Sequence, residues 1–130
     1  MPCLDTTFLI DWLRGNERAK YETLRVSETE EQVSASMITA YELEKGAKLS
    51  RNPQRDLKLV HDLLSELAIL DLNQGSIDVS SEIYSELNKK GKLVGEFDVS
   101  IAGTCIAAAQ SLVTNDRDFD KITKLVKMHY

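Results

Sequence analysis

From Val99 to Ala109 the chain reads VSIAGTCIAAA, a run without one charged residue. A segment apolar nearly all round, yet far short of the roughly 18 apolar residues that cross a bilayer, predicts a helix buried inside a protein core, where small side chains let neighbours approach closely. It feeds directly into a short apolar run, Leu112 to Thr114. Similar short runs alternate with helical stretches along the whole chain, with no repeat, low-complexity segment or long linker. That alternation is the pattern of a parallel sheet flanked by helices. With 130 residues, 42% of them hydrophobic and 28% charged, the chain can build one core of ordinary size and not two.

Pro2, Cys3 and Leu4 predict a minimal first strand, with proline tolerated because it stands at the start. A helix over about Thr7 to Arg14 is stopped by Gly15, and another is expected over about Asn16 to Val26. Gln32 to Ser36 reads as the second strand. A helix over about Met37 to Ser50 follows, and the next begins at Asn52-Pro53, a capping residue followed by proline at the first helical position. There Leu57, Val60, Leu63, Leu64 and Leu67 recur at three- and four-residue steps, so the two helices are expected to form a hairpin with one buried face. Ala68 to Leu70 predicts a third strand. A helix over about Asn73 to Lys89, with Ile83 and Leu87 inward, is closed by Gly91. Leu112 to Thr114 and about Leu125 to Met128 complete an α/β sheet of four or five parallel strands.

The N-terminal MPCLDTTFLID carries Asp5 and Asp11 where a secretory signal would be basic and then continuously apolar, so the expected address is the cytoplasm, with no membrane association. Cys3 and Cys105 stand far apart in apolar surroundings with no CxxC pair, and read as reduced core thiols. The balance of 16 basic against 21 acidic residues, net −5, argues against a protein that coats nucleic acid by bulk attraction.

The informative acids are those that interrupt apolar sequence. Asp5 ends the first strand, and Asp116 follows the strand Leu112-Val113-Thr114 by two residues. Glu42 lies one turn into the helix after strand two, and Asp98 in the first turn of the buried helix. All four would meet at the carboxyl edge of one parallel sheet, the usual place for a ligand. Like charges so placed repel one another, and a bound divalent cation is the usual remedy. Oxygen ligands without His or Cys select Mg²⁺ or Mn²⁺, which suits phosphate chemistry. Taken singly, Asp5 and Asp98 also read as helix caps, Glu42 as a solvated residue and Asp116 as a turn residue, and spacing alone leaves both readings open.

Three segments resemble one family. LDTTFLIDWLRG at Leu4 to Gly15, SMITAYELEKGA at Ser36 to Ala47 and VGEFDVSIAGTCIAAAQSLVTNDRDF at Val94 to Phe119 are similar, in order, to elements of the PIN-domain ribonucleases, above all the VapC-type toxins of prokaryotic toxin–antitoxin pairs. The resemblance implies a single PIN domain over residues 1–130, a three-layer α/β/α fold with a protruding helical hairpin. It also implies an endoribonuclease that gathers one or two Mg²⁺ or Mn²⁺ ions through Asp5, Glu42, Asp98 and Asp116, leaving a 5′-phosphate and a 3′-hydroxyl. Thr6 and Thr114 match positions whose hydroxyls orient the carboxylates, and Asp118 is a further supporting candidate. Two departures stand out: Pro2 in the first strand, and Ala109 where the family often has Gly, which implies an altered or strained turn.

Lys45, Lys48, Arg51, Arg55 and Lys58 concentrate positive charge on the hairpin, a candidate phosphate track or else a solvated face. Arg14 and Arg18, with Lys89, Lys90 and Lys92, are further candidates. The resemblance implies a homodimer restrained by a VapB-type antitoxin, with Tyr41, Leu49 and Leu59 as interface residues. A housekeeping RNA-processing nuclease and a noncatalytic PIN module that binds RNA or protein are the alternatives.

Overall fold

The computed structural model describes residues 2–16 and 32–130. Five short strands, β1 (Cys3–Leu4), β2 (Ser34–Ser36), β3 (Ala68–Leu70), β4 (Leu112–Val113) and β5 (Lys127–Met128), form one parallel sheet in the order β3-β2-β1-β4-β5. Among the described residues five α-helices join them: α1 (Thr6–Leu13), α2 (Met37–Lys48), α3 (Pro53–Ser65), α4 (Gln74–Lys89) and α5 (Glu96–Ala107), with a 3-10 helix at Arg117–Lys121. The helix expected after Gly15 lies, apart from Asn16, outside the described residues, and so does Arg18.

Side chains on a strand alternate between faces, and this alternation sets the layers. Cys3 and Leu112 join one buried cluster with Ile83, Val99, Ile101 and Cys105. Leu4 and Val113, each one residue further on, join a second with Phe8, Leu9, Leu43 and Val60. Helices α4 and α5 therefore cover one face and α1, α2 and α3 the other. The α2–α3 hairpin is anchored through Leu43, Ala47 and Val60 and leaves Leu49 and Leu59 exposed.

Strand β1 pairs with β2 on one side and with β4 on the other, Cys3 opposite Ser34 and Leu112, and Leu4 opposite Val113. The chain thus builds outward from β1 in one direction and returns to build in the other. Where the direction changes, the connections part and a crevice opens beyond the carboxyl ends of the strands.

Helix α5 is buried at Val99 and from Ile101 through Cys105, while Ala107, Ala108 and Ala109 at the end of the charge-free run are exposed. It begins at Glu96, a turn before the charge-free run, because Glu96 and Asp98 fall in the first turn, where the helix dipole favours negative charge. Gly103 meets α4: a Cβ placed there would lie 2.0 Å from Ser80 Oγ and 2.9 Å from Ser80 Cα. Helices α4 and α5 end alike. After α4, Lys92 N–H donates to Leu87 O and Gly91 N–H to Asn88 O, with Gly91 at φ 67°. After α5, Gln110 N–H donates to Cys105 O and Ala109 N–H to Ile106 O, but the residue forced into the left-handed region is Ala109, at φ 55°. The turn keeps the geometry a glycine would adopt and carries its strain.

Strands β4 and β5 are shorter than expected, and the 3-10 helix between them had no periodic signature. Cys3 and Cys105 are free, buried thiols. Among the described residues, no helix is long and apolar enough to cross a membrane.

Opposite substitutions at the two ends of α5 test this packing. Gly103→Ala should lose about 1–3 kcal/mol of stability, because the Ser80 backbone must move. Ala109→Gly should gain up to about 1 kcal/mol by removing a left-handed alanine. Urea denaturation of both variants measures the two changes.

Candidate active site

The crevice is walled by acids that the strand and helix ends deliver. Asp5, the residue after β1, has extended backbone, and its N–H continues the pairing with β4 by donating to Val113 O at 3.2 Å. Its Oδ1 accepts from Phe8 N–H at 2.7 Å, capping α1, and its Oδ2 accepts from the Thr114 hydroxyl. Asp5 is therefore a cap and a cleft residue at once. Two of its lone pairs are engaged, which leaves a carboxylate capacity for others. Thr114 also accepts from Asp116 N–H at 3.0 Å, so one hydroxyl ties the loops after β1 and β4 together.

Asp116 caps the 3-10 helix by accepting from Asp118 N–H at 2.9 Å. Asp98 is not a cap: that position in α5 is Gly95, which has no side chain to fill it. Carboxylate oxygens of Asp98, Asp116 and Asp118 lie within 4.8 Å of one another. Asp118, expected only to support the others, thus stands in the tightest group, and Asp5 and Glu42 flank it.

Glu42 is held by a chain of hydroxyls. Its Oε1 accepts from Thr6 Oγ1 at 2.8 Å, Thr6 Oγ1 is 3.0 Å from Thr39 Oγ1, and Thr39 Oγ1 is 3.2 Å from Ser36 Oγ. A carboxylate can only accept, so Thr6 spends its one proton on Glu42 and the other hydroxyls donate in turn toward it. Ser36 and Thr39 are fully buried. Neither had been singled out for this task, although Thr39 lies one helical turn before Glu42, on the same face.

Burial and crowding raise two of these acids. Desolvation pushes the Asp5 carboxyl up to about 6 against the pull of its hydrogen bonds, and the charges of Asp116 and Asp98 add to the rise. Asp98 is also pushed up to about 6, first by desolvation and then by Asp116, Glu42 and Asp118. Among the described residues, no lysine or arginine pairs with Asp5, Glu42, Asp98 or Asp116; only Asp118 has a partner, Lys121 at 3.5 Å. An all-oxygen donor set with little countercharge, in which Asp5 and Asp98 are raised, fits a hard divalent cation.

The basic residues divide. Arg55 pairs with Asp56 at 3.1 Å and Lys58 with Asp62 at 3.0 Å on the exposed face of α3, as a solvated surface would. Lys48 lies in the last turn of α2 and Arg51 just beyond it, with no contact to the acids. Arg14 lines a groove of about 310 Å³ between α1 and the hairpin, together with Ile10, Leu13, Gly46, Leu59 and Glu42. Lys45 sits over the rings of Tyr41 and Phe97.

A PIN-domain family model matches residues 3–125. The ribonuclease VapC2 of Haemophilus influenzae is 35% identical over 124 residues, covering 94% of this chain and 92% of its own length. The tRNA(fMet)-specific endonuclease VapC of Shigella flexneri is 28% identical over 120 residues, covering 92% and 89%. Among solved structures, VapBC2 from Rickettsia felis bound to a promoter DNA fragment superposes with a TM-score of 0.90 at 26% identity, covering 98% of this chain and 97% of that one.

The raised carboxyls give a signed dependence on pH. Asp5 and Asp98 hold protons up to about 6 in the folded chain, against an ordinary value of 3.8. Between those values the folded state binds more protons than the unfolded one, so their contribution to stability falls as pH rises through that window. In EDTA, the melting temperature should fall between about pH 4 and pH 6.5, and should fall less in Asp98→Asn. Scanning calorimetry of both proteins across that range checks the slope.

Proposed function

The chain belongs to the PIN-domain family, and from that premise we propose that it is a metal-dependent endoribonuclease, the toxin of a VapBC-type pair acting in the cytoplasm. The observation that carries the reading is the group of carboxylates at the β1–β4 crevice, two of them raised by burial and by one another's charge and nearly without countercharge. Such an arrangement costs stability and has no structural purpose that caps alone would not serve.

Asp5 and Asp98 would be the principal ligands of Mg²⁺ or Mn²⁺, with Glu42 and Asp116 completing the set and Asp118 at its exposed edge. When bound, the ion supplies an acidified water and offsets the charge that develops on the phosphate. The chain's own part is orientation and proton placement. Thr114 fixes Asp5 and the Asp116 loop together, so the two strand ends keep one spacing. The hydroxyl chain from Ser36 through Thr39 and Thr6 fixes the orientation of the Glu42 carboxylate at the crevice. Water would attack in line at the phosphorus and lose a proton as its oxygen bonds to it, the P–O3′ bond would break with the 3′ oxygen taking up a proton, and the products would carry a 5′-phosphate and a 3′-hydroxyl.

Relatives that are VapC ribonucleases, or that were solved as VapBC complexes, support an antitoxin partner. The groove between α1 and the hairpin, apolar but bordered by Arg14 and Glu42, is a seat for an antitoxin segment. Exposed Leu49 is a candidate contact in a homodimer. The specificity of the Shigella flexneri relative makes tRNA(fMet) the first RNA to try.

Incubation with tRNA(fMet) and total RNA in Mg²⁺ should yield fragments with 5′-phosphate ends. EDTA should abolish cleavage, and Asp98→Asn should lower it at least about a hundredfold while the far-UV spectrum stays unchanged. Undiminished cleavage in EDTA or in the variant contradicts the reading.

A further inference from the structure

Two of the candidate ligands are each preceded by an aromatic residue: Tyr41 before Glu42 on α2, and Phe97 before Asp98 on α5. The helices bring these rings together outside the cleft. Their centroids are 5.8 Å apart at 87°, an edge-to-face pair. Tyr41 is nonetheless 53% exposed and Phe97 42% exposed. Lys45, one turn after Tyr41, places its Nζ 5.3 Å from one centroid and 5.5 Å from the other.

We propose that Tyr41 and Phe97 form a stacking platform for an unpaired nucleobase next to the scissile phosphate, with Lys45 positioned for the adjoining phosphate. This inference rests on the nuclease reading. Each ring is carried by the residue that adjoins an acid in the chain, so the pair sits on the same two helices as Glu42 and Asp98. A base can stack on the ring surface that stays exposed, and stacking tolerates any of the four bases. Lys45 offsets phosphate charge at the edge of a strongly anionic cleft, where an approaching RNA strand needs it most. The same geometry implies a substrate that is single-stranded at the cut, since a paired base is not free to stack.

The test compares Tyr41→Leu/Phe97→Leu, which keeps apolar bulk and removes the π faces, with the conservative Tyr41→Trp/Phe97→Tyr, on an RNA that the wild type cleaves in Mg²⁺. Kinetics are paired with light scattering, alone and with the co-expressed antitoxin. The leucine pair should raise KM roughly tenfold to a hundredfold with kcat within threefold, and the aromatic pair should restore KM. Lys45→Ala should raise KM and flatten its dependence on salt. An unchanged KM with an active wild type overturns the platform and leaves the nuclease reading standing. A change in mass or in antitoxin binding that accompanies the KM change assigns the rings to a protein contact and also overturns it. Absence of cleavage by the wild type removes both readings together. If the double variant fails to fold, Tyr41→Leu alone, at the more exposed ring, decides by the same criteria.

Discussion

Carboxylates crowded at the carboxyl edge of a parallel sheet repel one another, and the layout of this protein follows from keeping them there. Asp5 and the Asp116 loop lie side by side because β1 and β4 are paired in register, Cys3 with Leu112 and Leu4 with Val113. Asp98 joins them because a charge-free helix can be buried only if its charged first turn reaches the rim. Two of the acids are restrained by donors from nearby: Phe8 N–H and Thr114 on Asp5, Thr6 on Glu42. On Asp5 the donors lower the cost of ionisation without cancelling it, as its raised value records, and Asp98 is raised by desolvation and by its acidic neighbours. What remains is a local excess of negative charge that a cation would relieve.

The parts of this arrangement legible in the sequence are those that depend on local order. Asp5 and Asp116 interrupt apolar runs, and in a parallel sheet the end of a strand is already a position in space. Gly15, Gly91, Asn52 and Asn73 mark helix ends by their own chemistry, and the helices end and begin beside them. The anomalous Ala109 was legible too, as an alanine at a glycine's place, and it adopts the glycine conformation. The rest depends on how elements cross. Asp118 enters the trio through a 3-10 helix too short to leave a periodic trace. The hydroxyl chain from Ser36 to Glu42 needs α1 laid against α2, and the Tyr41–Phe97 pair needs α2 laid against α5; neither crossing leaves a spacing to read. The basic run on the hairpin divides once it is folded. Arg55 and Lys58 answer Asp56 and Asp62 on their own helix, while Lys45, on the helix that carries Glu42, lies over the Tyr41 and Phe97 rings.

The net charge of −5 is then a poor guide to what the protein can hold. The acids of the crevice account for much of it, and they lie where a divalent cation would turn a repelling surface into one that accepts phosphate. Bulk charge argues against a nonspecific coat of nucleic acid. It leaves room for an RNA strand admitted at one point, between a charge-compensated cleft and the ring pair beside it.

Anomalous diffraction from crystals soaked in Mn²⁺ tests the central claim most directly. The account predicts a peak in the crevice, about 2.0–2.3 Å from carboxylate oxygens of Asp98 and Asp116 and within direct or water-mediated reach of Asp5 and Glu42. A crevice without anomalous density at millimolar Mn²⁺, with ions only at outward-facing carboxylates, would contradict it.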